Sequence, residues 1–483
     1  MSKINSTSEL KKKVRTSKMT VGEVAGRVTD AAAKQSNIMQ LRRLVLANLL
    51  WEDIAYADGK SISDEIKRLI PLCDAMDVAN LTIESRVMQK LRHIPLFLAV
   101  QMCKYDETRA YIKDVLPKII TRADMLTDFL ALYWKENGDG ASICNAAKKG
   151  LAEAFHNFNE YKFAKYDREA PVRLRDVMFM VHPKPQDEKE KVLFNKIAER
   201  KLDTPETWEV LLTNAHTNEE KAKVWEKLIT ERKIGGKAML MNIRNMQNVG
   251  VSRSIITDGL KNLNGTMLLP LDFLKAMRMS DGLNREIEDA MIESYKNLPK
   301  LPGKTLFIVD VSGSMGTLTS SGSYFSRLDQ ACAMAMLAAN QCDDFELICT
   351  AGDDSTCTEA QERIKYPSKG FDLFKEIADT QMNIHWGGIF TYQCLEKLRE
   401  ELGDKINEYD RIIIFSDSQD IDVSSGKKVL PRPFGKHNYI CDVSCHTHGI
   451  NYEGVWTAEI SGWSEHFLTY IAAYEGIENK FEE

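Results

Sequence analysis

Residues 306–316 read Leu-Phe-Ile-Val-Asp-Val-Ser-Gly-Ser-Met-Gly. An apolar, β-branched run from Leu306 to Val309 is followed at once by Asp310, Ser312 and Ser314. Such a run predicts a buried strand. Its end delivers one carboxylate and two hydroxyls at alternate positions. All three are hard oxygen donors, the kind a divalent cation such as Mg²⁺ prefers. Gly313, between the serines, permits the sharp turn that lets side chains converge. A plain Ser/Gly turn after a strand would use the same residue types. The flanks argue for more than that, because a second run, Arg411-Ile-Ile-Ile-Phe-Ser-Asp417, also ends in an aspartate. Two strand ends that each present an Asp place a site at the carboxyl edge of a parallel sheet, where open α/β folds bind ligands.

The pattern resembles the metal-ion-dependent adhesion site of a von Willebrand factor A domain. The resemblance implies that Asp310, Ser312 and Ser314 form the first metal loop and Asp417 the third. The second loop of that family commonly reads Gly-Gly-Thr. Here it reads Gly387-Gly388-Ile389-Phe390-Thr391, so Ile389 stands at the hydroxyl position and Thr391 follows two residues later. Thr391 is the remaining candidate ligand of that loop, and Mg²⁺ is the implied ion.

Alternation continues around this motif. Strand-like runs fall at residues 305–311, 345–350, 412–415 and 439–443, with helical stretches at 326–340, 371–378 and 392–402 between them. Strands alternating with helices predict a doubly wound, Rossmann-like parallel sheet. This α/β part is expected over residues 301–483. Before it, Leu298-Pro-Lys-Leu-Pro-Gly303 reads as a linker.

From Ser36 to about Asn297 the periodicity is helical. Leu41, Leu44, Val45, Asn48 and Leu49 share one face; Met125, Phe129, Leu132 and Trp134 suggest another; Val224, Leu228 and Ile229 suggest a third. Short breaks such as Asn137-Gly-Asp-Gly140 and Pro183-Lys-Pro185 separate them. Many short helices with little strand signal predict stacked helix pairs over residues 31–300. Residues 1–30, with Lys11-Lys-Lys13 and few large apolar groups, are expected to form a flexible arm.

At 483 residues the chain is too long for one core. Its net charge of −6 is unevenly spread. Residues 301–483 carry 15 Lys and Arg against 29 Asp and Glu, whereas residues 1–300 carry 49 against 41. A basic first part and an acidic second part suit a polyanion and a cation respectively, although both also fit ordinary solvated surfaces. No stretch approaches the roughly 18 apolar residues of a membrane span, and residues 1–29 lack a signal-peptide core. Ten scattered cysteines read as reduced thiols, so a cytoplasmic protein is expected.

The helical part carries a second resemblance. Arg122-Ala-Asp-Met-Leu, Leu132-Tyr-Trp-Lys, Lys148-Lys-Gly-Leu-Ala, Leu174-Arg-Asp-Val, His182-Pro-Lys-Pro185, Thr207-Trp-Glu-Val and Met241-Asn-Ile-Arg-Asn-Met246 resemble the TROVE module of Ro ribonucleoproteins. Asp417-Ser-Gln-Asp420 and Ile460-Ser-Gly-Trp-Ser464 resemble the A domain of the same family, and the likeness spans residues 35–475 in family order. It implies a HEAT-like helical ring closed by the A domain. It implies binding of small non-coding, Y-like RNA on a basic outer face, and of single-stranded 3′ ends of misfolded RNA within the ring. It further implies a monomer without catalytic activity, with an exoribonuclease or another protein as partner through the metal site.

The residues themselves are compatible with this. Lys162, Lys165, Arg168, Arg173, Arg175, His182 and Lys184 form a basic cluster interrupted by Asp167 and Glu169. Cations neutralise phosphates, and aromatics stack on unpaired bases. Tyr161 and Tyr166 interleave, though core packing suits them as well. By resemblance, Lys165, Arg168 and His182 contact Y-like RNA. His182 also fits the end of a helix. Farther on, Lys233, Lys237, Arg244 and Arg253 surround Asn242 and Asn245. Asparagine is unfavourable inside a helix; these amides suit either RNA contact from the inner face, with Arg244, or hydrogen bonds between repeats.

Other chemistries find less support. Cys441-x3-Cys445-His446-x-His448 lacks zinc-finger spacing, and Cys441 sits in a strand-like run. No nucleophile elbow, phosphate loop or dinucleotide fingerprint occurs. Asp310, Asp417 and Asp420 could in principle support a metal-dependent nuclease, but the serines suit a ligand-binding metal better. The competing non-RNA reading is a metal-dependent protein-interaction scaffold.

Overall fold

The computed structural model describes residues 37–46, 59–167, 170–320, 323–384, 387–420, 423–424, 427–444 and 454–477. These fall into two compact units, one of residues 60–216 and one of residues 37–46, 59 and 217–477.

The first unit is helical. Helix Ala75–Val87 packs on Ile112–Ile119, which packs on Asn145–Ala154; Ile94–Met102 packs on Asp124–Asn137, which packs on Leu174–Val181. Each helix thus lies against the next-but-one or a near equivalent, the arrangement of stacked helix pairs. Composition dictates the layers. Every residue of Ile94–Met102 is buried, because a helix apolar all round must be covered on every side. Met125, Phe129 and Leu132 point inward as expected, while Trp134 is half-buried. Gly150 admits the neighbouring helix: a Cβ there would lie 3.0 Å from the Ile112 carbonyl. Short polar residues cap the starts, as where Asp74 accepts from Met76 N at 2.8 Å.

The second unit begins with the same architecture. Helix Asn218–Thr230 packs on Arg253–Lys261 and that on Asn284–Ser294; Gly236–Asn248 packs on Pro270–Met279. In Asn218–Thr230 the inward residues are Trp225, Leu228 and Ile229; Val224, expected on that face, is only half-buried. Pro270–Met279 then packs on Arg327–Ala339, the first long helix after the loop that follows Asp310. The stack therefore continues into the α/β part.

That part is a six-stranded sheet. Its strands are β1 Leu301–Asp310, β2 Cys342–Asp353, β3 Thr358–Ile364, β4 Tyr409–Ser416, β7 His437–Asp442 and β8 Ala458–Ser461, in the order β3-β2-β1-β4-β7-β8. A separate two-stranded ladder pairs β5 Val423–Ser424 with β6 Lys427–Lys428. All neighbours in the large sheet are parallel except β2 and β3. The central strand β1 is buried from Thr305 to Asp310, as its apolar run requires. Helical repeats followed by a doubly wound sheet are the fold class read from the sequence.

Two details differ. Leu298–Gly303 is not all linker, because β1 already begins at Leu301, with a register shift before Lys304. Strands β3 and β8 carried too weak an apolar signal to be foreseen.

Candidate functional site

Parallel β1 and β4 are neighbours, with Val309 opposite Phe415. Their ends therefore release Asp310 and Asp417 side by side at the carboxyl edge. Asp310 is fully buried. Its Oδ1 accepts from Ser312 N at 2.9 Å and its Oδ2 from the Ser416 hydroxyl at 2.6 Å. The chain turns into a short 3-10 helix, Gly313–Gly316, which sets the Ser312 and Ser314 hydroxyls 3.2 Å apart. Gly313 N donates to Gly387 O at 3.0 Å, tying the first loop to the second. Gly387 in turn approaches the Gly352 carbonyl so closely that a Cβ would come within 2.3 Å of it.

In the second loop Ile389 and Thr391 take different places. Ile389 is 1% exposed and bridges Asp420; it is core and has no hydroxyl to offer. Thr391 opens helix Thr391–Leu402, and its backbone N–H donates to Asp420 Oδ1 at 3.3 Å. Its hydroxyl is buried without a hydrogen-bond partner among the described residues.

Asp417 is also fully buried. Arg327 Nη1 lies 2.5 Å from its Oδ2, and Gln419 Nε2 donates to the same oxygen at 2.8 Å. Its Oδ1 has no partner among the described residues. Burial, and after it the Asp417 charge, pushes Asp310 up to about 7. Two adjacent buried carboxylates resist ionising together.

These observations test the fit to a divalent ion. Orphaned buried oxygens on Asp417 and Thr391, two close serine hydroxyls and a crowded carboxylate pair make an all-oxygen donor set that suits a hard cation. Among the described residues no group of three or more His, Cys, Asp or Glu is poised to hold a metal. Cys441 is fully buried in β7, as a core residue; the rest of the Cys-His motif, residues 445–448, lies outside the described residues, as does His385.

The basic candidates occupy two places. In the first unit, helix Glu160–Tyr166 is capped by Asn159, whose side chain accepts from Lys162 N at 3.0 Å. Phe163 faces the core, while Tyr161 is 47% exposed. Tyr166 is half-buried, with Arg122 Cζ 4.7 Å and Lys165 Nζ 5.8 Å from its ring centroid. Core packing is thus not the role of Tyr161. In the next helix, Leu174–Val181, Arg175 lies 5.3 Å from the ring of Phe179, itself 49% exposed. Sequence reading passed over Phe179, which stands in the apolar run Val177-Met-Phe-Met-Val181. His182 ends that helix in a left-handed conformation, φ 49°, with its N–H donating to Met178 O at 2.9 Å. The helix-terminal role is therefore played by its backbone, and the imidazole is exposed. Lys162, Lys165, Arg175 and Lys184 make no ion pair among the described residues. Arg173 is half-buried at the start of the same helix, where its N–H donates to Asp176. Arg168 lies outside the described residues.

In the second unit, Lys233, Lys237 and Arg253 pair with Glu231, Asp272 and Glu286. Arg244 is exposed on helix Gly236–Asn248 without such a pair among the described residues. Asn242 donates to Ala238 O at 2.8 Å and accepts from Asn245 Nδ2 at 2.9 Å. Both bonds stay within one helix and do not run between repeats.

Comparison with known proteins adds one family-model match and one similar fold. Residues 197–339 match the model of the TROVE domain, the stretch over which the helical stack passes into the sheet. No curated protein matches the sequence. Among solved structures, the crystal structure of the Ro (Rsr) protein of Deinococcus radiodurans is similar, with a TM-score of 0.56 and 15% identity over 91% of this chain and 100% of that one. At that identity the likeness is one of fold. The TROVE match thus lies inside a chain whose fold is similar to that of the Ro (Rsr) protein.

Proposed function

We propose that this is a non-catalytic RNA-binding protein of the Ro type. It takes small non-coding, Y-like RNA on the basic stretch of residues 162–184 and the single-stranded 3′ ends of misfolded RNA near Arg244. The observation that carries the reading is the company these cations keep. Among the described residues Lys162, Lys165, Arg175 and Lys184 make no ion pair, Arg175 lies 5.3 Å from the ring of exposed Phe179, and Tyr161 is exposed on the helix of Lys162 and Lys165. Unpaired cations gain from phosphate contact through counterion release, and exposed rings stack on unpaired bases. Arg173 and His182 flank the same helix and belong to the same surface.

The test is a salt titration of binding to a structured RNA with a single-stranded tail. Changing Lys162, Lys165 and Arg175 together to Ala should weaken binding at least tenfold. It should also flatten the log–log salt slope by about 0.7 to 0.9 per lost phosphate contact. Unchanged affinity and slope would sink the assignment.

The same reading gives the acidic end a divalent ion, Mg²⁺ by its oxygen donors. Asp310, Ser312, Ser314, Thr391 and Asp417 would hold it. When bound, it offers a Lewis-acidic position to the carboxylate of a protein partner, an exoribonuclease being the kind of partner that suits an RNA-holding protein. No helix among the described residues is long and apolar enough to cross a membrane, and the reading places the protein in the cytoplasm as a monomer.

A further inference from the structure

We infer that Arg327 is a built-in counter-cation of the metal site, competing with the divalent ion for Asp417, so that metal binding is a displacement. The inference rests on the metal reading of Asp310, Ser312, Ser314 and Asp417.

Arg327 is 1% exposed at the first position of helix Arg327–Ala339. An arginine in that position ordinarily reaches solvent. Here it is fixed from several sides. The helix start is pinned by a capping box in which Ser326 and Asp329 bond one another's N–H groups, at 3.0 and 2.9 Å. The Arg327 N–H donates to Thr317 O at 3.0 Å, and Leu318 bridges Ser326. The segment leaving the metal loop thus folds back and returns Arg327 to the site. Its guanidinium reaches Asp417 Oδ2, ninety residues away in sequence, at 2.5 Å.

The charges then decide the behaviour. Two buried carboxylates would attract a divalent ion strongly. With a guanidinium already on Asp417, part of the negative charge there is offset, and an arriving dication meets a like charge beside its own ligand. Arginine cannot escape by losing a proton, so it must withdraw from Asp417 or share it. Asp417 Oδ1, buried and unbonded among the described residues, is the oxygen left for sharing. The consequence is a site that stays assembled without metal and fills only at high ion concentration, or when a partner carboxylate adds its own negative charge.

The test measures Mn²⁺ binding by calorimetry and by thermal stabilisation, using the full chain. Arg327→Met should tighten Mn²⁺ binding at least tenfold over wild type and enlarge the Mn²⁺-induced rise in melting temperature. Arg327→Gln keeps a donor for Asp417 without the charge; it carries the same expectation should Arg327→Met fold only with metal. Arg327→Lys keeps the charge and should stay near wild-type affinity. Equal affinity in wild type and both neutral variants overturns the role of Arg327 while leaving the metal site standing. No Mn²⁺ binding in any of the proteins overturns the metal reading and this inference together.

Discussion

Cys144 sits at the start of helix Asn145–Ala154, where a thiolate is favoured. The Cys103 thiol donates a hydrogen bond to it, and backbone N–H groups of Ala147 and Ala146 and the Arg109 charge add to this against partial burial, so that it falls to about 6. Cys103 moves the opposite way for the same bond, and burial lifts Cys73 to about 11. At pH 7 iodoacetamide should therefore alkylate Cys144 while sparing Cys73 and Cys103, with a rate midpoint near pH 6 by peptide mass spectrometry. A midpoint near the ordinary thiol value of about 8.5 would contradict this. Because the folded value lies below the unfolded one, the thiolate adds stability at alkaline pH that is lost as pH falls through about 6. Nothing local in the sequence announces this pair, since Cys103 follows the end of one helix and Cys144 precedes the start of another. The loop residues at the carboxyl edge of the sheet were far more legible. Asp310, Ser312 and Asp417 follow apolar runs whose only reasonable reading is a buried strand, and strand ends define a sheet edge. Arg327 was illegible for the opposite reason. Ser-Arg-Leu-Asp reads as an ordinary capping box with a solvated arginine, and only the tertiary fold brings residue 417 to it.

Helix Asn37–Leu46 shows how an element can be foreseen and its purpose missed. Leu41, Leu44 and Val45 were read as one face, and all three are buried; Asn48 and Leu49, read with them, lie outside the described residues. Yet Arg43 on the same helix is buried too, with Nε 2.7 Å and Nη2 2.5 Å from Asp442 Oδ2 at the end of β7. Burial raises Asp442, and Arg43 is the charge that opposes the shift. Removing one partner of such a pair strands the other in a low dielectric. Arg43→Met should thus cost about 3–5 kcal/mol of stability in denaturant melts, a range typical of broken buried pairs. Adding Asp442→Asn should recover most of that loss. A loss under about 1 kcal/mol would instead rank the contact with surface ion pairs. Strand β3, Thr-Glu-Ala-Gln-Glu-Arg-Ile, marks the limit of pattern reading at this scale. None of its residues is fully buried, so no apolar alternation marks it, and its pairing is dictated by β2 across a turn.

Across the whole chain, the change of secondary structure at Leu301 is not the boundary at which packing divides. The helices after Thr217 group with the sheet, and the reason is visible at their junction. Helix Pro270–Met279 packs on Arg327–Ala339. Arg278 Nη2 lies 2.5 Å from Asp329 Oδ1 and its guanidinium stands 5.6 and 5.5 Å from the rings of Phe325 and Phe374. Lys275 lies 4.9 Å from the ring of Tyr324. One arginine thus joins helix Pro270–Met279 to the segment that carries Arg327 and to helix Gly370–Thr380, which holds Phe374. Sequence patterning could not show this, because period and composition report what kind of element forms and not which neighbour it meets. The two helices should consequently open as one cooperative unit. In native-state hydrogen exchange, amides of residues 270–279 and 327–339 should share one opening free energy. Arg278→Ala should lower it for both by about 1–2 kcal/mol, the scale of a partly buried ion pair with cation–π contacts. Loss of protection confined to residues 270–279 would mean that stack and sheet open separately. The junction would then be a contact between two independent domains and not the continuous body its packing describes.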